Sequence, residues 1–323
     1  KGVYQSQMQL DGYDAPIELR AKMTIGAGRI DVDLSGSTPA VARGINCPLN
    51  YSAAYAAFGI RAMLTPDIPN NQASLEAITI TAEPGLVVSA TRPSPVSARH
   101  VIGQALPDLM LGCLEQALPG KVLAESSGAL WTLSLSGAGR TTFTSLNVAL
   151  GGMGARPTAD GLSTTAFPSG VGSVPVEVAE VAAPLIYHAK EFAPDTGGAG
   201  QFRGGLGQRI QVGSSLNEDM HMSAAAFERL TTGPAGRQGG QDGAAGCVQI
   251  SDGTRVTDKG MYKIPAGEQL ILQTPGGGGF GDPTERDPTA LAQDISYGLV
   301  SDQAAKTHYS QDQTQNDNQP EET

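Results

Sequence analysis

The sequence contains few of the residues that crosslink small folds or hold metals. Its 323 residues include three cysteines and four histidines. Cys47, Cys113 and Cys247 are odd in number and far apart, so neither a disulfide framework nor a zinc site of the C-x-x-C kind is predicted. This cysteine usage favours a cytoplasmic location. H-E-x-x-H and G-x-S-x-G are also absent, which excludes two common local signatures of metalloproteases and α/β-hydrolases.

Long apolar runs and concentrated positive charge are missing as well. Every apolar run is interrupted well before the about 20 residues that span a bilayer. The 21 basic residues are outnumbered by 32 acidic ones, which gives a net charge of −11, and they are scattered along the chain. These features argue against nucleic acid or an anionic membrane as the main partner and favour a small solute or another protein.

Glycine and proline, in contrast, are plentiful, at 42 and 21 residues, and they separate strand-like segments. Residues 17–25 and 29–34 alternate apolar and polar positions and predict a β-hairpin. Residues 50–63, rich in alanine and aromatics, predict a packed helix. Residues 77–81 and 86–89, separated by Glu-Pro-Gly, predict a second hairpin.

Apolar residues recur at helical spacing over residues 102–117 and predict the clearest helix, which Pro107 is expected to kink or restart. Residues 130–135 and 141–150 are strand-like. Shorter strands are predicted at 209–212, 220–227, 247–250 and 269–273, and a last helix at 288–299. The expected fold class is therefore α+β, with a helical segment around residues 50–118 packed on a β-rich body with many glycine turns.

Residues 275–283, Pro-Gly-Gly-Gly-Gly-Phe-Gly-Asp-Pro, contain the spacing G-x-G-x-x-G of dinucleotide-binding loops. Such a loop needs a helix that begins within the motif, because the pyrophosphate lies on the helix N-terminus. Here Asp282 and Pro283 follow at once, and no Lys-Ser or Lys-Thr completes a Walker loop. The sequence therefore favours a segment that needs glycine for positive φ or for close backbone packing.

Charged residues stand inside or beside other glycine-rich loops, where a small-residue backbone leaves room for a ligand. Arg156 and Asp160 belong to one such loop and Asp195 and Arg203 to another, while Glu177 is one of two carboxylates three residues apart. An arginine in such a loop can bind a carboxylate or phosphate through two nitrogens. The alternative is an arginine–carboxylate network that ties the loops together, for example Arg203 with Asp195.

Several blocks of sequence occur in a fixed order along the chain. They comprise residues 31–36, 44–46, 68–70, 92–99, 151–156 with 160–161, 175–177 with 180, 195–207, 234–236 with 239–240, and 274–283. In this order they resemble the B component of the hydantoinase/oxoprolinase family, over nearly all of residues 1–309. Residues 1–309 are accordingly expected to form one domain or two closely packed lobes, and residues 310–323 a polar, disordered tail.

The resemblance implies a two-component, ATP-dependent enzyme that opens the cyclic amide of hydantoins, 5-oxoproline or other lactams. In that scheme an A-type partner binds ATP and phosphorylates the amide oxygen, and the B-type subunit completes the hydrolysis. Related members carboxylate ketones such as acetone or acetophenone, and composition does not separate the two reactions. A third interpretation is a non-catalytic scaffold that docks the ATP-binding subunit.

The sequence departs from the family pattern at its N-terminus. Family B components are longer there, and that upstream part is expected to hold a divalent metal in a His/Asp cluster. The chain resembles the C-terminal portion, so the metal is expected from the upstream segment and ATP from the A-type partner. We therefore expect no activity from this chain alone.

Seven residues are candidates for the site implied by the resemblance. Glu177 and Asp160 are candidates for proton transfer. Arg99 and Arg156 would hold an anionic or phosphorylated substrate, and Asn70 would bond to its amide. The predicted substrate-binding set is Asn70, Arg99, Arg156, Asp195 and Arg203. No metal ligand is predicted within the chain.

Overall fold

The structure is a computed structural model that describes residues 1–310, so the tail predicted at residues 310–323 lies outside the described residues except for Ser310. The strands are β1 (Gly2–Leu10), β2 (Ile17–Ile25), β3 (Ile30–Asp33), β4 (Ile78–Thr81), β5 (Leu130–Ala138), β6 (Thr142–Leu150), β7 (Leu185–Phe192), β8 (Gln208–Ser214), β9 (Met220–Ser223), β10 (Cys247–Ile250), β11 (Met261–Ile264) and β12 (Gln269–Gln273). The helices are α1 (Leu49–Leu64), α2 (Gln72–Leu75), α3 (His100–Ala117), α4 (Val176–Ala182), α5 (Pro288–Ser296) and α6 (Asp302–His308), with a 3₁₀ turn at Pro283–Glu285. None of these helices is both long and apolar enough to cross a membrane.

The first lobe, here called the helical lobe, is a four-stranded sheet covered by α1 and α3. Its strand order is β1-β2-β3-β4, and β2 and β3 form the predicted antiparallel hairpin. The apolar stripe that predicted α3 is fully buried at Ile102, Leu106 and Leu109. Burial of each such side chain contributes roughly 1.5–3 kcal/mol, so this stripe holds the helix on the sheet.

Helix α3 continues through Pro107 and does not restart there. Helix α1 crosses it at this point through Gly59, where an added Cβ would lie 2.7 Å from the Cα of Pro107. Glycine is therefore required at residue 59, because any side chain would separate the two helix backbones.

The second predicted hairpin is wrong. Residues 78–81 form β4, but this strand pairs in parallel with β3. Residues 86–89 are not a strand, because their backbone groups bond to a neighbouring loop: the amide of Val87 donates to the Thr38 carbonyl, and its carbonyl accepts from Cys47. Val87 and Val88 are fully buried, so core packing produced the apolar pattern that indicated a strand.

The second lobe is a β-sandwich. Its two sheets have the orders β10-β12-β8-β7 and β11-β9-β5-β6, and they share one apolar core. Trp131 and Phe227 stack within this core with ring centroids 4.7 Å apart. The predicted strands of this half are present, although the one expected at residues 220–227 ends at Ser223, and the α+β fold class is confirmed. β1, β7 and β11 were not predicted.

Extended glycine-rich segments join the two lobes and are here called the glycine layer. They comprise residues 124–128, 151–155, 196–207, 234–246 and 274–281. Residues 276–279 run through the middle, and each bonds to a different neighbour. The amides of Gly276, Gly277, Gly278 and Gly279 donate to the carbonyl oxygens of Ala244, Gly205, Glu125 and Gln241 at 2.8–3.2 Å. This pattern resembles a three-residue-per-turn extended helix, in which successive backbone groups point in different directions.

The glycine layer has no space for side chains at its centre. An added Cβ on Gly277 would lie 2.1 Å from the Met153 carbonyl oxygen, and one on Gly204 would lie 1.9 Å from that of Gly277. Neither neighbour can move aside, because both are backbone atoms within the hydrogen-bonded layer. The expectation that residues 275–283 need close backbone packing is thereby confirmed.

Gly277→Ala should lower the free energy of unfolding by more than about 3 kcal/mol, because a methyl group there overlaps backbone atoms. Gly172→Ala is the matched control, since a Cβ at Gly172 meets nothing within 4 Å. Chemical denaturation of the two variants and the parent measures the difference. Equal midpoints for the two variants would contradict this account of the glycine layer.

A group of buried charged side chains lies between α3 and the glycine layer. Asp108 of α3 is 2% exposed, and its carboxylate accepts from the Ser126 amide at 3.2 Å. Burial and the charge of Glu125 raise the pKa of Asp108 to about 7, against the opposing effects of Arg229, the Ser126 amide and Arg237. Ionised Asp108 therefore weakens the fold above neutral pH.

Asp108→Asn should make stability less dependent on pH. Because folding raises the pKa of Asp108, its protonated carboxyl contributes fully to the free energy of unfolding below the ordinary pKa of 3.8. This contribution is lost as pH rises through about 7. The variant should therefore exceed the parent in unfolding free energy by roughly 1 to 4 kcal/mol at pH 8 and match it near pH 4. Urea denaturation across this range measures the effect, with Asp14→Asn as an exposed control. A difference in unfolding free energy between Asp108→Asn and the parent that does not change with pH would contradict the raised pKa of Asp108.

Candidate functional site

A pocket of about 290 Å³, here called the interlobe pocket, lies where the helical lobe meets the glycine layer. Its apolar wall includes Met63 of α1, Leu111 of α3, Leu123, Met153 and Phe167. Arg156 also lines the pocket and is the charged residue among the residues that line it. Concave apolar surfaces with a few polar groups, placed between lobes, are typical of small-molecule sites.

The loop that carries Phe167 is attached to α1. The hydroxyl groups of Tyr55 and Ser169 are hydrogen-bonded at 2.6 Å, and the rings of Phe58 and Phe167 are 6.0 Å apart. Phe58 is 41% exposed, so the aromatic pair lies near the surface. These contacts fix one wall of the interlobe pocket against the helix.

Arg156 is positioned by a tight turn. Its amide donates to the Ala159 carbonyl at 2.9 Å, and the Ala159 amide donates to the Arg156 carbonyl at 3.4 Å. The guanidinium folds back over this turn, where Nε and Nη2 both donate to the Asp160 carbonyl oxygen, at 3.3 and 2.7 Å. Two of its three nitrogens are thus used to orient the side chain.

The Asp160 side chain faces away from Arg156 and is held by two other arginines. Its carboxylate accepts from Arg286 Nη1 and Nη2, at 2.9 and 2.8 Å, and from the Arg203 amide at 2.7 Å. Burial acts to raise the pKa of this carboxyl, but the bonds and charge of Arg286, with the Arg203 amide, hold it below its ordinary value. Asp160 is therefore ionised at neutral pH.

A second carboxylate, Asp294 of α5, completes an ion network. Arg203 Nε donates to it at 3.1 Å and Arg286 Nη2 at 2.6 Å, and all three side chains are at least 91% buried. Two arginines and two aspartates thus alternate, which leaves no net charge in a site of low dielectric. The network ties the loop of Asp160 to α5 and to the glycine layer.

This arrangement corrects one expectation. Arg203 does belong to a network that ties loops together, but its carboxylate partner is Asp294 and not Asp195. Asp195 is exposed and has φ +61, and it accepts from the Ser301 amide at the start of α6 at 2.8 Å. It therefore anchors the C-terminal helix and lies outside the interlobe pocket.

Three predicted residues lie elsewhere. Asn70 is exposed, accepts from Arg61 and lines a separate groove between α1 and β4. Arg99 is exposed, with its guanidinium 5.2 Å from the ring centre of Tyr51. Glu177 is exposed in the first turn of α4, where a negative charge is favourable at the helix N-terminus. The structure therefore brings together Arg156, Asp160 and Arg203 and separates the other four.

Sequence reasoning missed Arg286 and Asp294, although they are central to the network. Arg286 is 126 residues from Asp160, and no local spacing links two such positions. The apolar wall was missed for the same reason, because its residues come from five separate stretches of the chain. Periodicity assigns such residues to a core and does not indicate that they line a cavity.

Within residues 1–310, no group of three or more histidine, cysteine, aspartate or glutamate side chains is arranged to hold a metal ion. Asp160, whose carbonyl binds Arg156, pairs through its carboxylate with Arg286. The described residues therefore offer no ligand set for a divalent metal, which the resemblance places in the upstream segment.

Comparisons with known proteins agree with the resemblance. The family model for hydantoinase B/oxoprolinase matches residues 1–283. The B-type subunit of a putative D-/L-hydantoinase from Pseudomonas sp. strain NS671 is 28% identical over 330 residues, which covers 95% of this chain and 55% of that protein. The chain spans about half the length of the curated relatives it matches.

Two solved structures share the fold. The ATP-dependent caprolactamase from Pseudomonas jessenii superposes with a TM-score of 0.83 at 23% identity, over 95% of this chain and 56% of that one. A nucleotide-free acetone carboxylase superposes with a TM-score of 0.74 at 18% identity, over 95% and 49%. Because the family match extends over 283 of the 323 residues, the chain belongs to the hydantoinase B/oxoprolinase family.

Proposed function

We propose that this chain forms part of the B-type subunit of a two-component, ATP-dependent enzyme that opens the cyclic amide of hydantoins, 5-oxoproline or related lactams. The family match carries the proposal. The relative from Pseudomonas sp. NS671 is named as one subunit of a hydantoinase, and the superposed caprolactamase is described as ATP-dependent. Both names are consistent with a cyclic amide as substrate, and the first is consistent with a partner subunit.

The proposed division of labour is the one that the family resemblance implies, and it agrees with the chemistry of amides. An unstrained amide is a poor electrophile, and phosphorylation of its oxygen creates an activated centre with a good leaving group. The A-type partner would bind ATP and perform this step. The B-type subunit would then hold the activated ring while water attacks, so its own contribution is to orient the ring and to stabilise negative charge.

The proposal assigns the divalent metal to an upstream part of the B-type subunit. A metal that activates water needs a set of His, Asp or Glu ligands, and the described residues offer none. This chain would instead supply the interlobe pocket and the network that supports it. We place this chain in the cytoplasm, on the basis of its three widely spaced cysteines.

A ketone carboxylase subunit is the second candidate. It is supported by the superposition on acetone carboxylase, which is a likeness of fold at 18% identity. The cyclic-amide function is supported in addition by a named relative over 95% of the chain. We therefore favour the hydrolase.

Reconstitution tests the function. Co-purification from the native source should identify an ATP-binding polypeptide and the upstream part of the B-type subunit. We expect the assembled complex to consume ATP and open a ring when hydantoin, 5-oxoproline or caprolactam is supplied. The purified chain alone should turn over none of them, because the proposal assigns the metal ligands and the ATP site to other parts of the complex.

Three outcomes would contradict the proposal. Ring opening by the isolated chain without ATP would show that it is a complete catalyst. ATP consumption with acetone or acetophenone, and with no cyclic amide, would establish the carboxylase. Equal turnover by the partner subunits without this chain would leave it the role of a scaffold.

A further inference from the structure

The interlobe pocket combines an apolar wall with one cation that no acidic group among the described residues neutralises. Arg156 forms hydrogen bonds only to the Asp160 carbonyl oxygen and to the backbone of Ala159, and it forms no ion pair within residues 1–310. The nearby Asp160 carboxylate is bound to Arg286 and Arg203 instead. A half-buried cation without a partner favours the approach of an anion.

Within residues 1–310, Nη1 is the guanidinium nitrogen of Arg156 that makes no hydrogen bond, since Nε and Nη2 both donate to the Asp160 carbonyl. The side chain cannot swing away without breaking two hydrogen bonds to one oxygen. That oxygen is fixed in turn, because the Asp160 side chain is held by the buried Arg286. Nη1 is therefore a preorganised donor, which binds an oxyanion with little loss of side-chain entropy.

The apolar wall indicates what the rest of the ligand must be. Met63, Leu111, Leu123, Met153 and Phe167 present no polar group to a ligand other than through their backbone. Carbon and ring faces bind there, and a second charge does not. A volume of about 290 Å³ lies at the lower end of the range for ligand pockets, roughly 300 Å³ upward, so the ligand is small.

We infer that the interlobe pocket binds a small ring that carries a single oxyanion, with the ring on the apolar wall and the oxyanion on Nη1 of Arg156. This inference rests on the proposed function for its choice of ring, a cyclic amide. The oxyanion has two possible sources: a carboxylate that the ring already carries, or the phosphate that the partner adds to its amide oxygen. Both present the same chemistry to a guanidinium.

Calorimetric titration of the 323-residue chain tests the inference with three probes. 5-Oxoproline carries a ring carboxylate, phenyl phosphate represents a ring with a phosphorylated oxygen, and caprolactam is a neutral ring. We expect at least one anionic ring to bind more tightly than caprolactam. Arg156→Gln should weaken that binding by about 10- to 100-fold, the effect of removing one charge-assisted hydrogen bond, and leave caprolactam unchanged.

Arg140→Gln is the matched control, because Arg140 is an exposed arginine in the β5–β6 turn that pairs with Glu218. It should leave all three affinities unchanged. If only 5-oxoproline responds to Arg156→Gln, the ring carboxylate is the ligand; if only phenyl phosphate responds, it is the phosphorylated oxygen. Failure of both anionic rings to bind at millimolar concentration, or an equal effect of Arg156→Gln on caprolactam, overturns the inference.

A second variant tests the apolar wall without changing charge. Ala62 of α1 is exposed and lines the interlobe pocket, so Ala62→Phe fills the pocket without disturbing the core. It should weaken the binding of the anionic ring at least 10-fold, whereas Ala292→Phe, at an exposed position of α5, should not. Inorganic phosphate that binds as well as phenyl phosphate, or no effect of Ala62→Phe, would show that the wall plays no part.

These measurements separate the inference from the proposed function. If the reconstituted complex opens cyclic amides and Arg156→Gln alters neither ring binding nor KM, the function stands and the inference is wrong. If the chain binds an anionic ring through Arg156 and no complex opens a cyclic amide, the pocket stands and the function is wrong. Unfolding midpoints of each variant, compared with the parent, exclude misfolding as the cause of any loss.

Discussion

Contact of backbone with backbone in the glycine layer is the constraint on which the rest of this structure depends. The strands of the sandwich open into this layer at the ends of β6 and β12 and at the start of β8, and the helical lobe approaches it through residues 122–124. The four central amides bond to three other segments, so loops from distant parts of the chain are held at fixed spacing. Hydrogen bonds and shape, more than buried apolar area, therefore determine how the two lobes meet.

The ion network anchors loops at the rim of the glycine layer. Loops without large side chains cannot be anchored by apolar packing, and here Arg203, Asp294 and Arg286 anchor them instead. Removing one member of such a buried set costs about 3–5 kcal/mol, because the partner is left charged and unpaired. Through Asp160, the same network fixes the carbonyl that orients Arg156. The same ion network thus stabilises the fold and positions Arg156 in the interlobe pocket.

The sequence predicted those parts whose signal is local. Helix α3 and the β2–β3 hairpin were predicted from their periodicity and α1 from its alanine and aromatic content, and their bounds were correct within a few residues. Residues 86–89 were misjudged because burial, not strand pairing, made them apolar. Of the seven candidate site residues, whose roles stay predictions, Arg156, Asp160 and Arg203 lie close together. Partners such as Asp294 have no local signal in the sequence and are recognised only once the chain is folded. The family match ends at residue 283, so the segment that supplies Arg286 and Asp294 lies beyond it.

The order of the segments in the glycine layer also determines when the layer can form. Its central part, residues 276–279, comes after every strand of both lobes along the chain. On the ribosome, where folding proceeds largely from the N-terminus, the helical lobe and most of the sandwich emerge while this centre is still unsynthesised. The layer has many contacts between residues far apart in sequence, which slows its closure. The relative position of the two lobes is therefore fixed late in biogenesis. Until then, chaperones would meet a chain whose lobes are formed but not yet joined.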